Sequence, residues 1–489
     1  MKMKAWLALL MAAVLLAASS CGDNSGDIQP NDPASADTEL TETEHAETET
    51  DYYEIIGEHD FGGKTFAIVY SAEQLGPMWP YDAEEENGDI LNDSVYHRNN
   101  NVMDCYNCAI VYDDKGGDWD KQIAAFRNAI MAGDQSYQLC INHMYSGFNA
   151  AITDGLLYDF NKLPVVDLTQ PWWNQTIREN LSIDGVLLTE VSDLVFAYYD
   201  VIYFNKKIMD EYSFPYPYGK VEDGTWTWDY LASVTKEVGK DMNGDNKFNT
   251  EDSYGYLVDQ NPSTMTRLIH SNGMVMAELD QNGHPTLENM MSSKMQSVVE
   301  KYYDLVWNDH TYYASHTGDA HCVDMFHDGK GMMMHIQTTQ LAKLRDVDFE
   351  FGIVPLPKYN EEQDDYRSMA SSQMLLLPAD MTDPEFEGVI LEGPSYESYK
   401  EVVPCLYEVV YENKLLRDSE SQEMFKLIRN SLVYDFNWVY GNGNKLAYLI
   451  GKTVGAGSSD ISSYYAENLS ACQKVLDQVY TDITANYLN

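Results

Sequence analysis

The chain has 489 residues, with 31 lysines and arginines against 78 aspartates and glutamates, so its formal net charge is −47. Hydrophobic residues make up 44% and aromatic residues 12%, which excludes a disordered chain and is enough for two or three packed cores. The negative charge argues against a nucleic-acid-binding protein and against docking on an anionic membrane through a basic surface.

The first twenty residues have the pattern of a bacterial secretion signal. Two lysines precede an apolar run from Ala5 to Ala18, which is too short to span a membrane as a helix. Two serines and Cys21 follow, as in a lipoprotein signal whose cysteine thiol is acylated, although leucine is more usual at the position of Ala18. We expect residues 1–20 to be a signal peptide and a lipid on Cys21 to anchor the protein extracytoplasmically, at the outer face of the cytoplasmic membrane.

An acidic low-complexity segment follows the signal. Residues 22–60 contain 13 aspartates and glutamates and no lysine or arginine, and Thr/Glu repeats run through their middle. Like charges repel and extend such a segment, and it offers little apolar surface to bury. Residues 21–60 are therefore predicted to be a tether.

Short apolar runs and helical patterns alternate after the tether. Lys64–Ser71 and Ala109–Tyr112 are β-rich runs, the helical spacing of apolar residues begins at Trp119, and Tyr137–Ile141 resumes a strand. Strand, helix and strand of these lengths indicate a βαβ unit in an open parallel sheet covered by helices. The class is α/β, and the length favours more than one lobe.

Two later helices have clear sequence signals. Either Thr225 or Thr227 can cap a helix that continues through Trp228. Apolar residues keep i, i+3, i+4 spacing from Met291 to Val306, which predicts one long amphipathic helix.

Six cysteines remain after Cys21, and in an exported chain they permit three disulfides with 15 possible pairings. They are Cys105, Cys108, Cys140, Cys322, Cys405 and Cys472. The C-x-x-C spacing of the first two fits a redox or zinc element, but no second pair or paired-histidine motif accompanies it. Buried or disulfide-bonded cysteine is the favoured interpretation.

An oxygen-rich loop between residues 241 and 252 has the spacing of a calcium-binding loop. Side-chain oxygens stand at its positions 1, 3, 5, 9 and 12, a backbone carbonyl serves at position 7, and asparagine replaces the usual glycine at position 6. The predicted ligands are Asp241, Asn243, Asp245, Lys247, Asn249 and Asp252. The alternative is a surface turn rich in Asx residues. No cofactor is required, and a structural Ca²⁺ is the one metal that the sequence suggests.

Two segments carry a resemblance to a known family. Residues 194–256 include a strand ending in YFNK, a Pro-containing link, TWTWDYL and an Asp/Asn/Gly loop before YGY. Residues 329–363 run from GKGMMMHIQTTQ to FGIVPLPK. GDILNDSVYHRNNNVMDCYN and QPWWNQTIRENLSIDG match further. In this order the segments resemble bacterial extracellular solute-binding proteins of family 1, the carbohydrate-binding components of ABC importers.

The resemblance implies a two-lobe, periplasmic-binding-protein-like fold of type II. Each lobe is a sheet flanked by helices, and the lobes are hinged by crossing segments near Tyr199–Phe204 and Phe351–Leu356. The expected N-terminal lobe comprises residues 61–200 with 355–430, and the C-terminal lobe comprises 201–354 with 431–489. The ligand is expected in the cleft between the lobes.

Residues expected at the cleft are aromatic side chains that can stack on sugar rings and polar side chains that can bond hydroxyl groups. They are Trp79, Tyr81, Trp172, Trp173, Asp200, Asn261, Ser263, Thr264, Gln337, Thr338, Trp438 and Tyr440. Adjacent tryptophans point different ways, so at most one of the pair is expected to face ligand. For each aromatic residue, packing in the core is the alternative. Relatives often have tryptophan where Gln337 and the following threonines stand here.

The predicted function is capture of a carbohydrate, as an oligosaccharide, and its delivery to the permease subunits of an ABC transporter. We expect a monomer that is not an enzyme, and no nucleic-acid partner. The alternatives are a secreted glycan-active enzyme, which would need two suitably spaced carboxylates, and a stand-alone surface lipoprotein that binds glycans or peptides. The sequence contains no GxSxG, HExxH or P-loop motif.

Overall fold

The computed structural model describes residues 52–488, apart from 73–79, 118–119, 145, 309, 315–320 and 408–417. The predicted signal peptide, Cys21 and Trp79 lie outside the described residues. Among the helices of the described part, none is long and apolar enough to cross a membrane.

Strands occur along the whole described chain, and most belong to two sheets. The strands are β1 Lys64–Tyr70, β2 Cys108–Asp114, β3 Leu139–His143, β4 Ala197–Tyr198, β5 Asp200–Asn205, β6 Gly239–Lys240, β7 Ser253–Asp259, β8 Glu278–Leu279, β9 Pro285–Thr286, β10 Thr311–Ala314, β11 Gly331–Gln337, β12 Phe351–Val354, β13 Ser368–Met369, β14 Ser371–Leu376 and β15 Leu432–Val433.

The first sheet has the order β2-β1-β3-β14-β4. Strand β1 pairs in parallel with both β2 and β3, whereas β14 is antiparallel to β3 and β4. The intervening helices Ile90–Tyr106 and Lys121–Ala132 complete the predicted βαβ units. The predicted parallel sheet at the start of the body is therefore confirmed.

The second sheet has the order β10-β7-β11-β5-β12, with β6 beside β7. Strands β10 and β11 are parallel to β7, and β5 lies antiparallel between β11 and β12. Gly255 in β7 is required by close packing, because a Cβ atom there would lie 1.9 Å from the carbonyl oxygen of Thr235. Strands β5 and β11 are almost wholly buried, as expected for strands covered on both faces.

Helices flank both sheets, and one of them begins at a threonine cap that the sequence suggests. The helices are α1 Tyr52–Ile56, α2 Ile90–Tyr106, α3 Lys121–Ala132, α4 Phe148–Thr153, α5 Gln175–Leu181, α6 Lys206–Glu211, α7 Tyr218–Glu222, α8 Trp228–Thr235, α9 Pro262–Thr266, α10 Leu268–Ser271, α11 Ser293–Val306, α12 Cys322–His327, α13 Pro384–Glu397, α14 Val403–Tyr407, α15 Ser419–Asn430, α16 Phe436–Val439, α17 Leu449–Gly455 and α18 Ser462–Tyr487. Thr227, not Thr225, caps α8 through its bond with the Tyr230 N–H. The predicted α/β class, with helices flanking a sheet in each lobe, is confirmed.

The chain passes between the sheets at Tyr199, because β4 ends at Tyr198 and β5 begins at Asp200. It returns between Val354 and β14. Helix α15, which the predicted boundaries assign to the N-terminal lobe, packs on β12 of the second sheet. The Ile353 N–H donates to the Ser421 hydroxyl there at 3.2 Å. Helix α18 contacts α4, which follows β3, and β9, which pairs with β8 in a separate two-stranded sheet. The residue boundaries of the lobes stay a prediction.

The predicted tether ends earlier than residue 60. Helix α1 packs on α13, and the ring of Tyr52 meets that of Trp172 edge-on at 4.4 Å. Tyr52 and Ile56 are buried because they belong to a short apolar group inside the acidic segment. The correction places residues 52–56 in the folded part of the chain.

Glu392 of α13 joins distant parts of the first lobe. The indole N–H groups of Trp172 and Trp173 donate to its two carboxylate oxygens at 3.0 and 3.1 Å. Burial raises the pKa of Glu392 to about 8, although hydrogen bonds from Tyr52 and both tryptophans oppose the shift. The carboxyl group of Glu392 therefore serves as a structural acceptor for the two buried indole N–H groups.

We predict that Glu392→Ala lowers the free energy of unfolding by about 2–4 kcal/mol, because two buried indole N–H groups lose their acceptor. Chemical denaturation measures the effect. Glu385→Ala on the same helix is the matched control, because its side chain is 63% exposed, and it should change stability by less than about 0.5 kcal/mol. Equal effects of the two substitutions would contradict the assigned role of Glu392.

Candidate functional site

The candidate site lies where the two sheets meet at the crossing segment Tyr198–Asp200. In the first sheet β3 ends at His143, and in the second sheet β7 and β11 end at Asp259 and Gln337. The register places Gln337 directly opposite Asp200, and β4 carries Tyr198 beside the start of β14. Ligands of open α/β sheets bind beyond the carboxyl ends of the strands, so these strand ends form the candidate ligand site.

A buried ionic cluster fixes the crossing segment. The Arg267 Nε lies 2.9 Å from one oxygen of Asp200, and the His335 Nε2 lies 3.0 Å from the other oxygen. All three side chains are buried. Arg267 also donates to the hydroxyl of Ser371, on β14 of the first sheet, at 2.8 Å. The cluster therefore joins the two sheets at the point where the chain crosses between them.

Two tyrosines flank Arg267. Tyr198 and Tyr448 are half-buried, and burial raises the pKa of both hydroxyl groups while the charge of Arg267 opposes the shift. Tyr448 meets the ring of Trp438 edge-on at 5.7 Å. A partly exposed ring beside fixed polar groups can stack on an apolar ligand face while the polar groups bond its edge.

Six of the predicted site residues come together at the ends of the second-sheet strands. They are Asp200, Asn261, Ser263, Thr264, Gln337 and Thr338. Thr338 donates its backbone N–H to the carbonyl of Tyr199 at 2.9 Å, which holds the turn after β11 on the crossing segment. Asn261 caps α9 by accepting from the N–H and hydroxyl of Ser263. Asn261, Ser263, Gln337 and Thr338 are half-buried, so part of each side chain remains accessible.

Trp172 and Trp173 lie elsewhere, on the other face of the crossing segment. Both indoles are buried, and both N–H groups are used by Glu392. Together with Tyr199, Thr338, Phe425 and Arg429 they line a cavity of about 480 Å³. The Arg429 guanidinium pairs with Asp193 at 2.6 Å on its wall. Successive side chains of extended backbone point to opposite faces, so Tyr199 faces this cavity whereas Asp200 faces the ionic cluster.

The remaining predicted aromatics are packed in the interior. Tyr81 stacks on Phe196 with ring centroids 6.2 Å apart, and the Tyr440 hydroxyl donates to the Leu181 carbonyl at 2.7 Å. Trp438 is buried, and its indole N–H points to the sulfur of Met144, the residue after β3, at 3.1 Å. Trp438 thus packs between Met144 of the first-sheet side and Tyr448 of the candidate site. Ligand contact by the predicted residues stays a prediction.

The predicted calcium loop is closed by hydrogen bonds from its own backbone. Asp241 accepts from the N–H groups of Gly244 and Asn246 at 2.6 and 2.7 Å, and Asp252 accepts from Met242 and Asn249. Asn246 has a left-handed φ of 60°, as its position in such a loop requires. Each carboxylate oxygen keeps a second lone pair that a cation can use, although the loop carboxylates do not converge in a group of three within 4.8 Å of one another. These hydrogen bonds are compatible both with a calcium loop and with a surface turn, so calcium binding stays a prediction.

Sequence reasoning missed Arg267, Tyr198 and Tyr448. Arg267 stands between two short helices, α9 and α10, and nothing in the local sequence shows that it reaches β5 and β14. Tyr198 is two residues before Asp200, so the alternation of side chains along the crossing segment was the signal that could have found it. Tyr448 lies 181 residues further along the chain than Arg267.

Comparison with protein families identifies the chain. Residues 109–385 match the family model for bacterial extracellular solute-binding proteins. The chain belongs to this family. Members of the family are extracellular, which implies an extracytoplasmic location for the solute-binding protein described here. A search of curated proteins finds no match.

Three solved structures share the fold of this solute-binding protein at low sequence identity. An ABC substrate-binding protein from Listeria monocytogenes in complex with cycloalternan has 13% identity and a TM-score of 0.51, covering 86% of this chain and 98% of its own. A sugar transporter from Rhizobium etli in an open conformation has 16% identity and a TM-score of 0.55, covering 85% and 99%. A cyclic alpha-maltosyl-1,6-maltose binding protein from Arthrobacter globiformis has 13% identity and a TM-score of 0.57, covering 86% and 100%. These similarities confirm the predicted periplasmic-binding-protein-like fold.

We predict that Arg267→Met lowers the free energy of unfolding by about 3–5 kcal/mol, because Asp200 stays buried after losing its cationic partner. In a double-mutant cycle, Arg267→Met with Asp200→Asn should cost less than the sum of the single substitutions. Arg345→Met, at an exposed arginine, is the control. Strict additivity in the cycle would contradict the coupling of Arg267 to Asp200.

For the oxygen-rich loop, we predict that Ca²⁺ raises the melting temperature of the full chain and that Asp241→Asn abolishes this rise, because the substitution removes a charged ligand. Differential scanning calorimetry with and without a chelator measures the effect. Asp280→Asn is the matched control, since Asp280 also accepts backbone N–H groups in a surface turn. No response of the unsubstituted chain to Ca²⁺ would leave a surface turn and refute the calcium site.

Proposed function

We propose that this solute-binding protein binds a carbohydrate, as an oligosaccharide, and delivers it to the permease subunits of an ABC transporter. In this proposal the protein is a monomer without catalytic activity, and a lipid on Cys21 holds it at the outer face of the membrane. The family supports ligand capture in general. The ligands of two structurally similar proteins, cycloalternan and cyclic alpha-maltosyl-1,6-maltose, support a sugar.

The observation that carries the proposal is the composition of the crossing site. Tyr198 and Tyr448 offer partly exposed rings beside Arg267, whose charge is already matched by Asp200. A site with apolar ring faces and a balanced ion pair suits an uncharged ligand with C–H surfaces and hydroxyl groups.

Polar groups for the sugar hydroxyls stand around these rings. Gln337 and Thr338 follow β11, and Asn261 and Ser263 follow β7, each with part of its side chain accessible. Amide and hydroxyl groups can both donate and accept, which matches the hydrogen-bonding capacity of a sugar hydroxyl. Because these groups belong to the second-sheet side and Tyr198 to the first, a ligand that contacts both would favour closure of the lobes.

A thermal-shift screen of the full chain over mono- and oligosaccharides, including cycloalternan and cyclic alpha-maltosyl-1,6-maltose, tests this proposal. A ligand present at 100 times its Kd should stabilise the folded protein by about 2.7 kcal/mol. We expect oligosaccharides to raise the melting temperature and to be recovered chemically unchanged. Failure of every sugar to stabilise the protein, or turnover of a bound sugar, would contradict the proposal.

For a sugar that stabilises the protein, Tyr448→Ala should weaken binding by about 1 kcal/mol, roughly fivefold, because ring stacking is lost. Tyr448→Phe keeps the ring and should keep most of the affinity. Isothermal titration calorimetry measures both. Tyr212→Ala, at a tyrosine that is exposed on the protein surface, is the matched control. If Tyr448→Ala bound the sugar with unchanged affinity, the sugar would not be bound at the crossing site.

A further inference from the structure

A second cluster of chemically active side chains lies at the end of β7. Asp259 is the last residue of that strand, and His321 and Cys322 stand at the start of α12. A His321 nitrogen, a carboxylate oxygen of Asp259 and the Cys322 sulfur lie within 4.8 Å of one another. Within the part of the chain that the structure describes, no other group of three or more His, Cys, Asp and Glu side chains converges in this way.

Asp259 is the centre of the cluster. One of its oxygens accepts from the Cys322 N–H at 3.1 Å, the other lies 2.9 Å from His321 Nδ1, and the Cys322 thiol also donates to the carboxylate. Asp259 and Cys322 are buried, whereas the His321 side chain is 36% exposed. Two ligands are thus held from the interior, and the third opens the cluster to solvent.

We propose that Asp259, His321 and Cys322 bind one divalent cation of borderline softness, represented by Zn²⁺, with a further coordination position left open. Thiolate, imidazole and carboxylate together are ligands that zinc takes in proteins, at about 2.0–2.3 Å from the metal. Ligand atoms within 4.8 Å of one another reach such bond lengths through small side-chain rotations. The partly exposed His321 has the freedom to make the largest of them.

Metal binding at this cluster releases one proton. The metal forms bonds to sulfur, nitrogen and oxygen, the thiol of Cys322 loses its proton to the solvent, and the hydrogen bond between His321 and Asp259 is broken. No oxidant or reductant takes part. A site with three protein ligands and an open position is the arrangement that leaves room for water or a ligand group on the metal.

This cluster lies next to the candidate sugar site. Asp259 is two residues before Asn261, and the preceding residue, Val258, pairs with His335 of the ionic cluster. Neither cluster shares a residue with the other, so metal binding stands independently of the proposed sugar binding.

Cobalt and zinc titrations of the full chain under reducing conditions test the proposal. Co²⁺ should give a thiolate-to-metal charge-transfer band with one equivalent bound, and Zn²⁺ should displace it. Cys322→Ser should abolish the band, and His321→Ala should weaken Zn²⁺ binding at least about tenfold, the lower range of what even supporting residues of metal sites contribute. Circular dichroism confirms folding of both variants.

Two matched controls separate this site from other metal-binding groups. The double substitution of Cys105 and Cys108 by serine removes the C-x-x-C pair, and His327→Ala removes an exposed histidine that pairs with Asp346. Both controls should bind Co²⁺ and Zn²⁺ like the unsubstituted chain. Absence of a charge-transfer band in the unsubstituted chain, its persistence in Cys322→Ser, or its loss in the Cys105/Cys108 control would overturn the proposal.

Discussion

Asp200 occupies the point where the chain leaves one sheet and enters the other, and its carboxylate is buried there. A buried carboxylate costs free energy unless it is paired and hydrogen-bonded. Arg267 and His335 supply its partners, and Arg267 continues to Ser371 on the first sheet. One buried charge therefore orders the crossing segment, the strand beside it and the edge of the opposite sheet, and the candidate ligand site is built on these elements.

The same pairing sets the electrostatics of the site. Because Asp200 and Arg267 balance each other, the surroundings of Tyr198 and Tyr448 carry little net charge although the chain as a whole has a formal charge of −47. The overall negative charge of the protein therefore does not determine which ligand binds at this site. Recognition is left to ring faces and to amide and hydroxyl groups at the strand ends.

The elements that the sequence predicts well are those with a strong local pattern. Strands β1 and β3 follow short apolar runs, α11 follows the i, i+3, i+4 spacing, and Thr227 caps α8 as a threonine before a helix should. The family resemblance predicts a crossing near Tyr199–Phe204, and the chain passes from β4 to β5 at Tyr199, at the start of that range.

The features that could not be predicted depend on partners distant in sequence. Nothing in the local sequence shows that Trp172 and Trp173 both donate their indole N–H groups to Glu392, some 220 residues later. Arg267 gives no local sign of its bonds to Asp200 and Ser371, and the metal-ligand cluster joins residues 62 positions apart. Aromatic content therefore indicated a ligand class more readily than it indicated which rings face the ligand.

The central claim, that ligand is held at the crossing between the sheets, is tested most directly by hydrogen–deuterium exchange with and without a stabilising sugar. Backbone amides whose local opening is suppressed by the bound sugar exchange more slowly, so the segments that gain protection mark the binding site. The account predicts protection of residues 259–266 and 446–449, which do not line the 480 Å³ cavity, and no change at the exposed turn around Asp280. Protection confined to residues that line the 480 Å³ cavity, such as 171–176, 195–199 and 425–434, would place the ligand on the opposite face and contradict the account.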